Sequence, residues 1–186
     1  MASNRMAKPE AITVRYATPQ DVPTILQLIQ ELARYEKQES AVLATEATLH
    51  KTLDFPPFPS AFSPPQRGFA RALLLLFDDA PVGMALFFFN YSTWHAAPGI
   101  YLEDLYIKEE ARGHGGGKLL IAELAAICKG VDGRRLDWSV LDWNQPSIDF
   151  YESAAIGAKI LNEWKMVRVE GKALDELAAK ARGVPM

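Results

Sequence analysis

Arg112-Gly113-His114-Gly115-Gly116-Gly117-Lys118 is the stretch whose residue types and spacing could do chemistry. It follows an apolar, strand-like segment (100–107) and leads into a helical one (118–129). Glycines let backbone N–H groups converge on one centre, and a helix N-terminus adds about half a positive charge. Such a turn holds a phosphate or pyrophosphate. A Walker-type loop needs a leading glycine and a hydroxyl residue after its lysine; Ala111 and Leu119 stand there instead. A dinucleotide fingerprint needs a glycine three residues after its second one, and counting from Gly113 and Gly115 that position is Lys118. An Arg/Gln-x-x-Gly-x-Gly/Ala turn is met by Arg112, Gly115 and Gly117. A flexible glycine loop with no ligand stays open on this stretch alone, because short glycine motifs also occur by chance.

The other reactive side chains are few. Glu103 and Asp104 are adjacent, so on a regular strand they point to opposite faces and only one can face a cleft. Tyr151, on an amphipathic helical segment, is a proton donor or a core tyrosine; a free tyrosine with pKa ~10 is protonated at neutral pH. His50 and His95 have no partner at metal-ligand spacing and read as surface residues, so no metal is implied. Cys128, the single cysteine, lies in an apolar run and reads as a small buried hydrophobe. A net charge of −3 with no basic stripe argues against nucleic acid. The apolar runs 73–77 and 84–89 are too short to span a bilayer, and residues 1–10 carry no apolar leader segment. The expectation is a soluble, cytoplasmic protein.

The elements that must position these groups form an alternating pattern. Ile12, Val14 and Tyr16 mark a strand. Thr18-Pro19-Gln20-Asp21 is a capping signal for a helix reaching about Glu36, and a second helix is expected over 45–53. A proline-rich loop follows (54–68), then strands over 69–77 and 82–91 joined by a hairpin, and the strand leading into the glycine turn. Beyond the third helix come a strand over 135–141, a helix from Asn144 through Tyr151, closing strands at 160–161 and 164–169, and a terminal helix over 174–181. Residues 1–10 read as a disordered leader and 11–182 as one α/β domain with a mixed sheet and helices on both faces.

This order, with the glycine turn after the fourth strand, resembles the GNAT acetyltransferase superfamily, and within it the diamine/polyamine (spermidine/spermine-type) and thialysine acetyltransferases. Four segments carry the resemblance: 28–36, 101–107, the Arg112 loop, and Trp143-Asn144-Gln145-Pro146-Ser147-Ile148-Asp149-Phe150-Tyr151. It implies a largely antiparallel sheet with a splayed central strand pair, and acetyl-CoA as co-substrate without a metal. The backbone of Arg112, Gly113, His114, Gly115, Gly116, Gly117 and Lys118, with Asn144, would hold the cofactor. Leu105, Tyr106 and Ile107 would pair with its pantetheine arm, an N–H near Leu105 facing the thioester oxygen. Tyr151 would be the general acid toward sulfur. Of the two adjacent carboxylates the resemblance selects Glu103, as ammonium anchor and proton acceptor. Tyr35, Glu36, Trp94, Asp142, Trp143 and Asn144 complete the implied substrate set, although Glu36 also reads as a solvated helix-end charge and Trp94 as a structural aromatic. A small amine substrate and a homodimer follow from the same resemblance. Protein lysine or N-terminal acetylation and a non-catalytic acyl-CoA module are the alternatives. Three departures stand out: residues 152–156 delay Gly157-Ala158, Asp142 replaces a glutamate, and Glu163-Trp164 aligns loosely.

Overall fold

The computed structural model describes residues 6–57 and 68–183. Most of the proline-rich loop and the first half of the leader lie outside them. The chain clusters into two compact units, one through Ile148 and one from Asp149.

The first unit is built on β1 (Ile12–Tyr16), β2 (Arg71–Phe77), β3 (Ala80–Ser92), β4 (Ala97–Ile107) and β5 (Leu136–Trp138). They lie in sequence order in one sheet, antiparallel except for the parallel β4–β5 pair. The helices are α1 (Val22–Tyr35), α2 (Glu46–Thr52), α3 (Gly116–Gly130) and the start of α4 (Gln145–Glu152). β2 is buried throughout because both faces of the sheet are covered. Ala72, Leu74 and Leu76 join Met84 and Leu86 under Val22, Ile25 and Leu28 of α1 and Leu49 of α2. Leu73, Leu75 and Phe77 alternate to the other face, where α3 packs.

Local chemistry accounts for the ends of these elements. The carboxylate of Asp21 accepts from Thr18 N–H at 2.7 Å and Thr18 Oγ1 at 2.8 Å, and Pro19–Asp21 form a 3-10 turn that feeds α1. Thr45 caps α2 by accepting from Thr48 N–H at 3.2 Å. The β2–β3 hairpin is tighter than expected. Asp78 and Asp79 alone form its loop, at φ 46° and 65°, the positive-φ pair of a type I′ turn, so β3 begins at Ala80.

Two expectations fail. The strand over 135–141 shrinks to Leu136–Trp138, paired only with Ile100–Leu102. The cause lies in β4, where Leu86 pairs with Asp104 but Phe87 with Leu102, leaving Glu103 as an extra, bulged residue. A bulge bends and twists its strand, and the parallel pairing stops one residue short of it. The pair therefore splays beyond Leu102.

The second unit holds the end of α4 and α5 (Gly171–Ala178). The closing strands at 160–161 and 164–169 do not form: these residues are exposed and carry no ladder. Strand backbone needs a paired neighbour, and no described residue of this unit supplies one. The terminal helix starts and ends three residues earlier than expected.

Candidate active site

The glycine turn is stereochemically demanding. Glu109–Ala111 form a 3-10 turn after β4, and the chain then passes Gly115 at φ +86°, the residue preceding α3. A side chain is strained there. At Gly116 the reason is packing: an added Cβ would run into the Leu75 side chain. The first bond of the helix is Leu119 N–H to the Gly115 carbonyl at 3.1 Å, so the amides of Gly116, Gly117 and Lys118 precede it and aim out of the N-terminus. His114 lies edge-on to Phe77, ring centroids 5.7 Å apart, and Lys118 is exposed.

Beside the turn, Leu105, Tyr106 and Ile107 pair with Ala85, Met84 and Gly83 on one edge only. The edge toward β5 is open because that pairing ended at Leu102. The splay thus leaves a backbone slot leading to the helix N-terminus.

The bulge at Glu103 breaks the strict alternation that would have kept the two acids apart. Asp104 shares its face of β4 with Tyr106, toward α1. Burial, then the charges of Glu103 and Glu36, push its carboxyl up to about 6. Glu36 follows the last turn of α1, its own carboxyl raised by burial. Asp104 therefore feels the charges of both Glu103 and Glu36. Glu36 is held by a tight helix ending: Lys37 sits at φ 60°, and Gln38 N–H bonds the Ala33 carbonyl at 2.8 Å.

Aromatic residues gather on the same side. The Tyr35 hydroxyl donates to Asn144 Oδ1 at 3.0 Å, and its ring lies 6.2 Å from that of Trp143. The Lys37 ammonium stands 5.9 Å over Trp143, so this aromatic face already carries a cation. Asn144 is buried and Asp142 exposed. Trp94 is not part of this group. It is 88% exposed at the tip of the β3–β4 hairpin, and the six residue steps from Ala97 to Glu103 span roughly 20 Å of strand.

In the second unit Tyr151 lies in the last turn of α4, its ring 5.3 Å from Phe150. The extra residues after it form a closed turn. Gly157, at φ 72°, donates to the Ser153 carbonyl at 2.7 Å, and Ala158 N–H returns to the Tyr151 carbonyl at 3.0 Å. The insertion caps α4.

Residues 27–155, which hold the glycine turn and the splayed strand, match the acetyltransferase (GNAT) family. The chain belongs to that family. It is an acyltransferase whose sequence is 37% identical to the thialysine N-epsilon-acetyltransferase of Bos taurus, over 91% of this chain and 98% of that protein. It is 31% identical to the L-ornithine N5-acetyltransferase NATA1 of Arabidopsis thaliana, over 88% of this chain and 86% of that protein. Among solved structures, the Vibrio cholerae integron cassette protein VCH_CASS6 superposes with a TM-score of 0.70 at 25% identity, covering 91% of this chain and 98% of that one. GNAT acetyltransferases use acetyl-CoA as co-substrate. No helix among the described residues is long and apolar enough to cross a membrane.

Sequence reasoning missed two features of this acetyltransferase. Strand alternation admits only one of the adjacent acids and the resemblance selects Glu103, so Asp104 is left out; a one-residue bulge leaves no mark in hydrophobic periodicity. The side chain of Arg112 also behaves unexpectedly: its Nε donates to the Ile107 carbonyl at 2.9 Å, directing the guanidinium to β4 and α1.

Proposed function

We propose that this acetyltransferase moves the acetyl group of acetyl-CoA to a primary amine of a small cationic molecule, a polyamine, diamine or lysine-like amino acid, by direct attack. The observation that carries the substrate class is the burial of Asp104 beside the charges of Glu103 and Glu36, which disfavours its own negative charge and is relieved by an ammonium beside it. Acidic crowding also suits the thialysine and ornithine substrates named for its relatives.

In this scheme the amides of residues 113–118 hold the pyrophosphate, and the open edge of Leu105 to Ile107 takes the pantetheine arm. A backbone N–H near Leu105 faces the thioester oxygen, where a donor is worth a few kcal/mol (~3) in acyl transfer. The ammonium loses a proton to Glu103, directly or through water. The neutral nitrogen attacks the carbonyl carbon, the C–N bond forms, the C–S bond breaks, and the nitrogen's remaining extra proton leaves to solvent, from which Tyr151 recovers the proton it donates. Tyr151, placed by its position in the 143–151 segment, gives its proton to the leaving thiolate. Asn144 steadies Tyr35 and the cofactor side, Asp142 and Trp143 border the amine, and Trp94 serves a more distant part of the channel. A homodimer in the cytoplasm, with residues 11–182 as the catalytic domain, belongs to the same proposal; light scattering tests the dimer.

The deciding experiment is a two-part titration. Calorimetry with acetyl-CoA should give saturable heat, and turnover should then be compared for spermidine, spermine, putrescine, thialysine, lysine, ornithine and a histone-tail peptide. Absence of heat removes the cofactor, and turnover on the peptide alone overturns the substrate class.

Asp104 offers a sharper test because its two effects have opposite signs. Its native carboxyl titrates near 6, above the ordinary value of 3.8, so the folded protein binds the proton more tightly than the unfolded chain. Stability on this group's account is therefore full below about 4 and declines as pH rises through 6, by about 2–3 kcal/mol in the limit. Asp104→Asn removes that decline. Its melting temperature at pH 7 should equal or exceed wild type, while the KM for the best amine rises about tenfold. Unchanged KM would show that Asp104 does not meet the amine.

A further inference from the structure

Arg112 opens the glycine turn, yet its side chain leaves the turn. With Nε fixed on the Ile107 carbonyl at 2.9 Å, the guanidinium carbon lies 5.0 Å from the Tyr35 ring centroid and 5.8 Å from that of Tyr106. The cation is held between an aromatic residue of α1 and one of β4. All three line a cavity of about 380 Å³ with Glu31 and Arg34. Tyr35 in turn bonds Asn144 and adjoins Trp143, and the next residue along the chain is Glu36. One side chain thus joins the proposed cofactor turn to the proposed amine-binding residues.

We propose that Arg112 is a positioning residue that couples the two substrates: CoA bound at the turn orders the end of α1 through the Arg112–Tyr35 stack, and amine binding strengthens CoA binding in return. The chemistry favours arginine for this task. A guanidinium is planar, stacks on rings and keeps one N–H for the carbonyl, while its charge is retained in any protonation state near neutrality. A lysine would keep the charge and lose the planar contact. Because coupling free energies are reciprocal, an effect seen from one substrate must appear from the other. The inference rests on the acetyl-CoA reading above, and its test separates the two.

The amides of Glu36, Lys37 and Gln38 are hydrogen-bonded to the Leu32, Arg34 and Ala33 carbonyls at 2.9, 3.2 and 2.8 Å, so their hydrogen exchange reports the order of this helix end. Saturating CoA should slow exchange there by at least about fivefold in the wild-type chain. Arg112→Lys, saturated with CoA as judged by calorimetry, should show less than about twofold slowing. Tyr35→Leu, which leaves the turn untouched, should lose the same response at the end of α1. Retention of the wild-type slowing in either variant overturns the coupling, as does a wild-type chain that binds CoA without slowing. Arg112→Lys that binds no CoA at all would place Arg112 in service of the turn alone and overturns it too. Absence of CoA heat in wild type instead defeats the acetyl-CoA reading.

Discussion

Tyr151→Phe is expected to lower kcat by roughly 10²-fold and to leave the affinity for acetyl-CoA within about twofold. The substitution removes one oxygen and its proton and keeps the ring, so α4 and its packing on Phe150 persist. The size of the loss follows from the leaving group. A thiol of pKa about 8.5 is already a fair leaving group, so its protonation contributes at the lower end of the roughly 10²–10⁴-fold range of general acids. Because the proton is needed only as the C–S bond breaks, ground-state binding has no stake in it. Single-turnover measurement of free-thiol release isolates this step from product dissociation. A variant that releases thiol at the wild-type rate would mean that CoA leaves without help from this hydroxyl.

Asp54→Ala is expected to cost about 3–5 kcal/mol of stability, the largest structural effect of any single substitution described for this chain. Arg71 is fully buried and Asp54 only 5% exposed; Nε and NH2 of Arg71 donate to Asp54 Oδ2 at 3.1 and 3.0 Å. The Phe89 ring lies 5.8 Å from the guanidinium, and the Tyr16 phenol bonds it as well. These contacts fix the cation in place without neutralising it. Truncating Asp54 leaves a buried positive charge without that carboxylate, whereas changing both partners removes the charge itself. The pair also closes a loop, since Asp54 N–H bonds the Ala70 carbonyl and Phe69 N–H the Thr52 carbonyl. For a domain of this size, thermal unfolding should shift down by roughly 10 °C, and Asp54→Ala with Arg71→Met should recover a large part of it. A single variant that melts within a degree or two of wild type would mean that water reaches Arg71 and replaces the carboxylate.

How far these residues could be recognised from the chain alone depended on how local their causes are. The turn at Arg112 to Lys118, the Thr18–Asp21 cap and the Asp78-Asp79 hairpin each follow from the stereochemistry of a few consecutive residues, and each is found where sequence places it. Strand–helix order is legible for the same reason, through periodicity. Non-local causes leave weaker traces. Arg71 interrupts an otherwise apolar run from Ala70 to Phe77, a sign that something must neutralise it, but its partner lies beyond a proline-rich loop. The bulge at Glu103 depends on how β3 and β4 are paired, which neither sequence states. Strand-forming composition at 164–169 favours β structure and still forms none, because a strand also requires a neighbour.

The Glu103 bulge carries a lesson for anyone shortening or diversifying this gene. Exchanging the amino acid at that point alters one group; excising the codon would erase the stagger itself. Leu102 and Asp104 would then be neighbours opposite Phe87 and Leu86, closing the ladder into regular pairing with Leu105 and Tyr106 still on their present faces. Loss of that codon should consequently keep the sheet paired and remove the local bend, while a replacement keeps the bend and changes only the carboxylate.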